Sequence, residues 1–405
     1  MPSKPVKPIL IVSNGGAEDL IGAALARELK ALADLKILAL PLVGAGAAYT
    51  SVARRTGPAL DLPSGGFPFG SLGNLKADLE AGLIGTSLRQ GLAAWRAGRQ
   101  VGTVVVVGDS FALSVGTLAA RQNAQTGPRL PLVHLQPLVS RLYGEGLGLL
   151  GHLRELNALG ANAFMPWELA LGRRARRVYT RDAASARSLA LRGVNAVYRG
   201  SFAMDVLPMP ERNLEPYRDG RPLLALMPGG RGDARESLPI MLEAAARLPG
   251  LQAMVAWPKG WEKLPPLPGW TLGVLDADTA RLTRGDTQVW LLRHGFSALL
   301  HMARQTGGLA LGTAGTASEQ AAGLGVPVVG FPTSGPQYTP GFARRQARLL
   351  GRALTLTARD ARAVAAALER LNLQRGLHHA AAQDGRARIG EAGALKQIAA
   401  EILES

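Results

Sequence analysis

The sequence predicts an α/β protein of two Rossmann-like domains, with mostly parallel sheets, that face each other across a cleft. Three observations support this fold class. The chain has 405 residues, too many for one compact core of the usual size. Apolar runs of strand length alternate with segments of helical periodicity in both halves, as in doubly wound sheets. Residues 205–222 hold four prolines among charged residues and interrupt the pattern once.

The domain boundaries follow from that interruption. We expect an N-terminal domain over residues 1–206, a linker over 207–222 and a second domain over 223–375. A helical segment over 376–405 follows, and packing back on the first domain is one arrangement open to it.

The composition is that of a globular protein with a strongly positive charge. Apolar residues make up 47% of the chain and charged residues 19%. There is no cysteine, which excludes disulfides, thiolate metal sites and cysteine nucleophiles. The formal charge of +16 favours an anionic partner such as nucleic acid, an anionic membrane face or a phosphorylated substrate, although coding bias towards arginine would have the same effect. Neither zinc-ligand spacing nor interleaved basic and aromatic strands occurs, so nucleic acid is not expected as a partner.

No segment has the pattern of a targeting or membrane-spanning sequence. The first apolar run, residues 9–12, is too short for a signal-peptide core. No stretch approaches the ~20 apolar residues of a spanning helix. We therefore expect a cytoplasmic protein, with peripheral contact to the inner membrane face as a further option.

The first domain opens with a strand, a glycine turn and a helix. Residues 8–12 form an apolar run, Ser13-Asn-Gly-Gly16 the turn, and residues 18–33 repeat apolar side chains at helical spacing. Residues 36–42 are the next strand. The turn lacks the Gly-x-Gly-x-x-Gly pattern of dinucleotide-binding proteins. Asn14, Gly15 and Gly16 are candidates for the cleft.

Asp109 is the best candidate for a catalytic base. The buried strand over residues 101–107 ends in Gly108-Asp109-Ser110. A carboxylate just beyond the carboxyl end of a central parallel strand points towards the crevice where such sheets bind ligands. The alternative, that Asp109 only caps the helix beginning near Phe111, is almost equally well supported. The Gly- and Pro-rich loop over 62–70 and the amphipathic helix after it are expected at the border of a cleft.

Further strands of the first domain are expected over residues 130–135 and 173–180. His134 lies in the first of them and is a cleft candidate, although a lone histidine in an apolar run is more often a core residue. Between these strands, the apolar, Gly-rich segment over 143–171 precedes four arginines, Arg173, Arg174, Arg176 and Arg177. This segment could bind an anionic lipid surface or simply pack on its own domain.

The second domain contains two candidate phosphate-binding turns. The strand over 223–227 leads into Pro228-Gly-Gly-Arg-Gly-Asp233 and a helix over 235–247. Arg231 offers a planar donor fork suited to phosphate. The second turn, over 312–316, lies between an apolar run and a helical segment, where backbone N–H groups favour an anion. In a doubly wound sheet both turns fall at the same edge, and Gln337 lies in a loop directed to it.

The remaining elements of the second domain complete a doubly wound pattern. Strands are expected over 252–257, 270–274 and 290–292, a helix over 296–304 and a final amphipathic helix over 387–403.

Four separated motifs link the chain to a known family. They are Asp19-Leu-Ile-Gly-Ala-Ala-Leu25, Gly200-Ser-Phe-Ala-Met-Asp205, Leu226-Met-Pro-Gly-Gly-Arg-Gly232 with Glu236, and Gly315-Thr-Ala-Ser-Glu-Gln-Ala-Ala-Gly-Leu-Gly-Val-Pro327. In this order they resemble motifs of lipid-A-disaccharide synthase, a GT-B glycosyltransferase. The chain is therefore similar to that family and looks like a divergent relative of it.

The resemblance implies metal-independent, inverting transfer of a sugar from a nucleotide sugar, such as a UDP-sugar, to a lipid or glycolipid acceptor. No cofactor and no metal are expected. Asp109 lies in a region similar to the one that supplies the catalytic carboxylate, and Asp19 joins the acceptor side. The implied donor-binding residues are Gly229, Gly230, Arg231, Gly315, Thr316, Ala317, Glu319 and Gln320.

The sequence also departs from the family at three sites. The family's Ser-Gly before Asp19 is replaced by Ala17-Glu18. The family's ribose-binding Glu, seven residues before the Pro, is replaced by Gln320, with Glu319 one step earlier. The aromatic Ser-Val-Trp-Ala-Trp element after the strand with His134 is missing, which favours a different acceptor. Two alternatives remain open. One is a UDP-sugar 2-epimerase, which would need acids and histidines converging in the cleft, and the other is a noncatalytic nucleotide-sugar-binding protein of the same fold.

Overall fold

The computed structural model describes residues 7–58, 83–121, 129–148, 150–151, 155, 159–229, 232–335 and 338–404. The chain divides into two compact units. The first comprises Met1–Val206 together with Ala392–Ser405, and the second comprises Leu207–Glu391. The residues expected to form a linker, 207–222, thus belong to the second unit.

The first unit is built on a parallel sheet of seven strands in the order β3-β2-β1-β4-β5-β6-β7. Its first six positions have the 3-2-1-4-5-6 order of the Rossmann fold, in which the switch point lies between β1 and β4. The strands are β1 (Ile9–Ser13), β2 (Ile37–Pro41), β3 (Arg54–Arg55), β4 (Thr103–Val107), β5 (Leu132–Gln136), β6 (Arg177–Thr180) and β7 (Ala196–Val197).

Helices cover this sheet, and the apolar runs predicted from the sequence form its buried centre. Every residue of β1 and β5 is buried, as expected for parallel strands covered on both faces. The helices are α1 (Gly16–Leu32), α2 (Leu83–Gly98), α3 (Ser110–Ala120), α4 (Leu159–Asn162), α5 (Pro166–Gly172), α6 (Ala183–Ala190) and α7 (Phe202–Asp205).

The second unit has an eight-stranded sheet in the order β10-β11-β12-β9-β8-β13-β14-β15. Six neighbouring strands, β12 to β15 in this order, pair in parallel, whereas β10 and β11 extend the sheet beyond β12 as an antiparallel meander at one edge. The sequence analysis missed β11, since its alternation of apolar and polar residues is short and lies between two turns. The strands are β8 (Leu223–Met227), β9 (Gln252–Ala256), β10 (Thr271–Val274), β11 (Thr279–Arg284), β12 (Thr287–Leu292), β13 (Leu309–Gly312), β14 (Val328–Gly330) and β15 (Leu354–Leu356).

The C-terminal region contains two helices where one amphipathic helix was predicted over 387–403. The chain breaks at Gly390 and Gly393, which have φ angles of 80° and 107° that favour glycine. The helix before the break belongs to the second unit and the helix after it to the first. The helices of the second unit are α8 (Ala234–Ala245), α9 (Phe296–Gln305), α10 (Gly315–Leu324), α11 (Pro340–Leu350), α12 (Ala361–Leu373) and α13 (Arg375–Ile389), and the helix that returns to the first unit is α14 (Ala394–Leu403).

Helix α14 packs into the core of the first unit. Leu395 and Ile398 share an apolar cluster with Leu25 of α1. At the outer end of the helix, the Glu401 carboxylate accepts hydrogen bonds from Arg177 Nη1 at 3.0 Å and the Tyr179 hydroxyl at 2.8 Å. The C-terminus is therefore an integral part of the first sheet's cover.

Asp205 is expected to stabilise this attachment, because its carboxylate accepts hydrogen bonds from the N–H groups of Gly393 and Leu395 at the start of α14. Asp205→Ala would leave both donors without their acceptor. The free energy of unfolding should fall by about 1–2 kcal/mol in urea titration. Because the two N–H groups donate to different carboxylate oxygens, Asp205→Asn keeps one of the two acceptors and should recover part of the loss. Equal losses in both variants would contradict a capping role.

Among the described residues, no helix combines the length and the apolar character that crossing a membrane requires. Residues 149, 152–154 and 156–158 of the segment considered for lipid contact lie outside the described residues, as does the whole predicted loop over 62–70.

Candidate functional site

The carboxyl edge of the first sheet brings Asn14 and Asp109 together. β1 and β4 are paired so that Ser13 lies beside Val107, and the following turns therefore start at the same level. Gly108 has a φ of 144°, and a Cβ at this position would lie 1.8 Å from the Asn14 side-chain oxygen. Only glycine leaves room for Asn14, which accepts a hydrogen bond from the Asp109 N–H at 3.4 Å. Gly15 and Gly16 complete the turn into α1.

Asp109 caps α3, as the alternative interpretation predicted. Its Oδ1 accepts hydrogen bonds from the N–H groups of Phe111 at 2.9 Å and Ala112 at 3.1 Å. Burial raises the pKa of Asp109 above its usual value, although these hydrogen bonds oppose the shift. Both hydrogen bonds of the cap engage Oδ1, which is one of the two carboxylate oxygens. Capping and proton transfer are therefore compatible roles for this carboxylate.

His134 is a buried structural residue of β5. Its Nε2 lies 2.9 Å from the Gly108 carbonyl oxygen, and 4% of the residue is exposed. Burial lowers the pKa of His134 to about 4, so the ring is neutral at physiological pH. The contact fixes the turn that carries Asp109, which makes His134 a positioning residue for this edge.

Glu168 is a second carboxylate at this edge that the sequence analysis did not select. It lies in the first turn of α5, where its Oε2 accepts a hydrogen bond from the Met165 N–H at 2.9 Å. Its Oε1 accepts a bond of 3.4 Å from the side-chain amide of Gln136, the last residue of β5. The Pro166-Trp-Glu168 spacing is typical of a helix N-terminus and could have identified the turn. The sequence contained no signal for the proximity of Glu168 to Asp109.

The two carboxylates interact electrostatically. Burial raises the pKa of Glu168 to about 7, from an ordinary value of 4.5, and the negative charge of Asp109 adds to the rise. The hydrogen bond from Met165 works in the opposite direction. Near neutral pH the protonated and ionised forms of Glu168 are thus comparably populated, which suits proton exchange with Asp109 or a bound hydroxyl.

The raised pKa predicts a pH dependence of stability. The folded state binds the Glu168 proton more tightly than the unfolded state, so its contribution is complete below about pH 4.5 and is lost as the pH rises through about 7. Glu168→Gln removes this pH-dependent contribution to stability. Between about pH 5 and about pH 8, the fall in Tm should be smaller by about 2–4 °C in the variant than in the wild type. The exposed Glu404→Gln serves as control, and identical slopes for wild type and Glu168→Gln would contradict the shift.

Asp19 lies inside the domain rather than at the open edge. Its Oδ1 accepts a hydrogen bond of 2.6 Å from the Ser13 hydroxyl, which lies 2.9 Å from the Tyr49 hydroxyl. Burial raises the pKa of Asp19 to about 6, and the Ser13 hydrogen bond opposes this shift. Gly22 leaves space for the Tyr49 ring, because a Cβ there would lie 2.0 Å from the hydroxyl oxygen. Asp19 thus stabilises the β1–α1 turn through its hydrogen bond with Ser13, the last residue of β1.

In the second unit, the two predicted turns are neighbours. β8 and β13 pair with Met227 beside Gly312. The Thr313 N–H then donates to the Met227 carbonyl at 3.2 Å. Gly229 has a φ of 82°, and a Cβ at this position would lie 3.6 Å from that of Ala314. Gly230, Arg231 and Gln337 lie outside the described residues.

The first turn of α10 presents backbone donors without a side-chain cap. Ala314 is the N-cap, and the first intrahelical bond runs from Ser318 N–H to its carbonyl, which leaves the N–H groups of residues 315–317 outside the helical ladder. Gln346 donates to the Gly315 carbonyl at 2.7 Å, while the Tyr338 hydroxyl donates to Gln346 at 2.7 Å. This support holds the turn in place, and Thr316 is exposed.

Glu319 and Gln320 are both buried in α10, with 7% and 5% of their surfaces exposed. Asp233, at the start of α8, is also buried and accepts hydrogen bonds from the Thr333 hydroxyl and, at 3.2 Å, from the Tyr338 N–H. Asp233 therefore ties the loop after β14 to the loop after β8. Sequence reasoning did not select it because its partners are a hundred residues away in the chain.

Taken separately, each sheet edge has a distinct chemistry. The first offers two carboxylates with raised pKa values and the Asn14 amide, and the second offers uncapped helix N–H groups that favour an anion. In the described part of the chain, no three His, Asp or Glu side chains are grouped as metal ligands would be.

Comparison with known proteins supports the fold. No family model matches the sequence, and no curated protein matches it either. Among solved structures, the calicheamicin glycosyltransferase CalG4 shares 16% identity over 99% of this chain and 98% of its own, with a TM-score of 0.65. UDP-GlcNAc 2-epimerase from Neisseria meningitidis, bound to UDP-GlcNAc, shares 14% identity over 98% and 100%, with a TM-score of 0.59.

MurG from Acinetobacter baumannii shares 14% identity with the chain over 98% of this chain and 100% of its own, with a TM-score of 0.57. These likenesses extend over both units and agree with the two mostly parallel sheets. The protein has the GT-B architecture of two Rossmann-like domains.

Proposed function

We propose that the protein is a glycosyltransferase that moves a sugar from a UDP-sugar to a lipid-linked or glycolipid acceptor. The observation that carries this proposal is the uncapped N-terminus of α10, held beside the Gly229 turn in a GT-B fold. Two solved structures of similar fold hold such a ligand: MnaA from S. aureus with UDP, and the UDP-GlcNAc 2-epimerase from Neisseria meningitidis with UDP-GlcNAc. A nucleotide diphosphate is a natural ligand for such a helix end.

The donor would be bound by the second unit. Its diphosphate would accept hydrogen bonds from the N–H groups of Gly315, Thr316 and Ala317, supported by the turn at Gly229 and Gly230 and by the Arg231 guanidinium. Gln320, with Glu319 beside it, occupies the motif position implied for the ribose contact. Both side chains are buried, so ribose binding would depend on their outermost polar atoms.

The first unit would supply the base. Asp109 would take the proton of the acceptor hydroxyl while that oxygen forms a bond to the sugar C1. The bond between C1 and the diphosphate oxygen breaks, and UDP departs with the electron pair. Helix N–H groups and Arg231 would stabilise the leaving charge without a metal ion. Asn14 would orient the Asp109 turn, and Glu168, at its raised pKa, would act as a second proton site.

A UDP-sugar 2-epimerase is the second candidate, favoured by solved epimerases of similar fold. The structure supports an epimerase less well than a transferase, because His134 is buried and its ring nitrogen contacts a backbone carbonyl. A noncatalytic nucleotide-sugar-binding protein is the third class.

One experiment separates these classes. The purified protein is incubated with UDP-sugars, with and without a lipid extract, and UDP and sugar products are quantified. UDP release that requires the extract is the expected result. Epimerised sugar without any acceptor would favour the isomerase, and donor binding with neither product would favour the noncatalytic protein.

A further inference from the structure

The edge strand β10 of the second unit is exposed along its whole length, although its side chains continue the apolar core. All four of its residues, Thr271–Val274, are exposed. Leu272 and Val274 lie beside Leu282 and Ala280 of β11, and both of these neighbours are buried in the core of the unit. Opposite residues of an antiparallel pair point to the same face of the sheet. The core face of the sheet therefore ends in two uncovered apolar side chains, of which Leu272 is 39% and Val274 is 55% exposed.

The register of β10 on β11 determines which of its backbone groups point outwards. The Leu275 N–H donates to the Thr279 carbonyl at 3.0 Å, so these two residues form a hydrogen-bonded pair. Hydrogen-bonded and non-hydrogen-bonded pairs alternate along an antiparallel ladder, which directs the backbone groups of the odd-numbered residues of β10 to β11. The N–H and C=O groups of Leu272 and Val274 therefore point away from the sheet, where a further strand can pair with them.

These outward groups match those of a second, antiparallel copy of the same strand. With Gly273 on the two-fold axis, Leu272 of each copy lies opposite Val274 of the other, and both residues exchange backbone hydrogen bonds. A shift of one residue would place outward groups opposite groups that face β11. A shift of two residues in either direction would need the N–H group of Trp270 or of Asp276, and each of these already donates to a carbonyl of its own copy. A single register thus satisfies all the outward groups.

Side chains of the two copies are complementary in the same register. Leu272 and Val274 would cover their counterparts in the other copy, which extends the apolar core across the joined sheets. Antiparallel pairing also brings the acidic end of β10, at Asp276, towards the other end of the second strand. There the Arg284 guanidinium lies 4.6 Å from the ring centroid of Trp270. The facing ends carry opposite charges, so the contact is electrostatically favourable.

We propose that the protein forms a symmetric dimer through β10, in which the two eight-stranded sheets become one continuous sheet. A two-fold contact of this kind closes on itself and does not continue into a fibre. The strand is short and the interface is small, so the dissociation constant should be on the order of 10 µM. The proposal is independent of the catalytic assignment, because none of these residues belongs to the proposed transfer machinery.

Sedimentation equilibrium of the full chain from about 1 µM to about 200 µM tests the proposal, and the fraction of dimer should rise over this range. Val274→Pro removes one outward N–H from each copy and keeps the hydrogen bonds to β11, and proline is tolerated at such edge positions. The dissociation constant of the dimer should rise by at least about tenfold in this variant. Leu272→Lys should act in the same direction, because it places a charge on the joined core face. Leu373→Lys, at another exposed leucine of the same unit, is the matched control and should dimerise like the wild type.

Disulfide trapping tests the register itself, since the chain contains no cysteine. In the proposed dimer the two Gly273 Cα atoms lie about 4.5 Å apart, within the range that a disulfide spans. A Cβ at Gly273 would lie 3.8 Å from the Arg281 carbonyl oxygen, so a cysteine fits there. Gly273→Cys should therefore give a covalent dimer under mild oxidation. Thr271→Cys should not, because the two copies of that residue are about 13 Å apart along the strands.

A wild-type chain that stays monomeric at every concentration would overturn the proposal. Equal dimerisation of Val274→Pro and the wild type would also overturn it, as would equal cross-linking of Thr271→Cys and Gly273→Cys. UDP binding, measured by calorimetry, should be the same in all variants. Circular dichroism separates loss of the dimer from loss of the fold, and if Val274→Pro does not fold, the two cysteine variants decide the outcome.

Discussion

Asp109→Asn is expected to lower sugar transfer by about 1,000-fold, within the range for loss of a general base. The substitution removes the carboxylate that would accept the proton and leaves the capping contacts of the side chain in place. Asn is as good an N-cap as Asp, and its oxygen can still accept from the N–H groups of Phe111 and Ala112. The dissociation constant for the UDP-sugar should stay within a factor of about three, because the donor is assigned to the other unit.

UDP release in the presence of the lipid extract measures the transfer, and calorimetric titration measures donor binding. Asp360→Asn is a matched control, since Asp360 caps α12 by accepting from the N–H groups of Arg362 and Ala363 in the same manner. This variant should transfer sugar at the wild-type rate. Retained turnover in Asp109→Asn would assign the base to another group, and Glu168 would be the first to test.

Thr316→Asp should weaken UDP binding by at least about 100-fold through repulsion between its carboxylate and the diphosphate. Thr316 is exposed in the first turn of α10, where the proposed diphosphate would contact the uncapped N–H groups. A carboxylate at this end of a helix interacts favourably with the helix dipole. The variant should therefore be as stable as the wild type while losing its ligand, which distinguishes the effect from unfolding.

Thr316→Asn is the uncharged counterpart, and its affinity for UDP should stay within about tenfold of the wild type because charge is the variable being tested. Titration calorimetry and thermal unfolding on both variants provide the comparison. If Thr316→Asp bound UDP as tightly as the wild type, the N-terminus of α10 would be excluded as the diphosphate site.

The local pattern of apolar and polar residues was sufficient to predict most strands and helices of the fold. The strand predicted over residues 223–227 coincides with β8, and the central strands β1, β4 and β5 lie where apolar runs predicted them. Such runs are informative because a parallel strand is covered on both faces and must be apolar throughout. The amphipathic pattern was less informative at the C-terminus. It continues across Gly390 and Gly393, where the backbone turns and divides one predicted helix into α13 and α14.

The candidate site also contains one residue that the sequence could identify and one that only the folded structure reveals. Asp109 could be selected because a carboxylate after a central strand has a defined position at the sheet edge. Its double character, as a cap and as a carboxylate of raised pKa, depends on burial in the folded domain. Glu168 could not be selected, because 59 residues separate it from Asp109 and only the packing of α5 near the edge brings the two charges together.

By itself, the sequence determined that this chain forms two doubly wound units and that glycine turns follow the strands β1, β4, β8 and β13. Those features depend on periodicity and on residues that tolerate tight turns, which are local properties. Tertiary structure alone decided that Asp19 is buried, that His134 is neutral, that Glu168 interacts with Asp109 and that α14 returns to the first unit. Each of these outcomes depends on burial and on contacts between distant segments, and neither quantity is present in the order of residues along the chain.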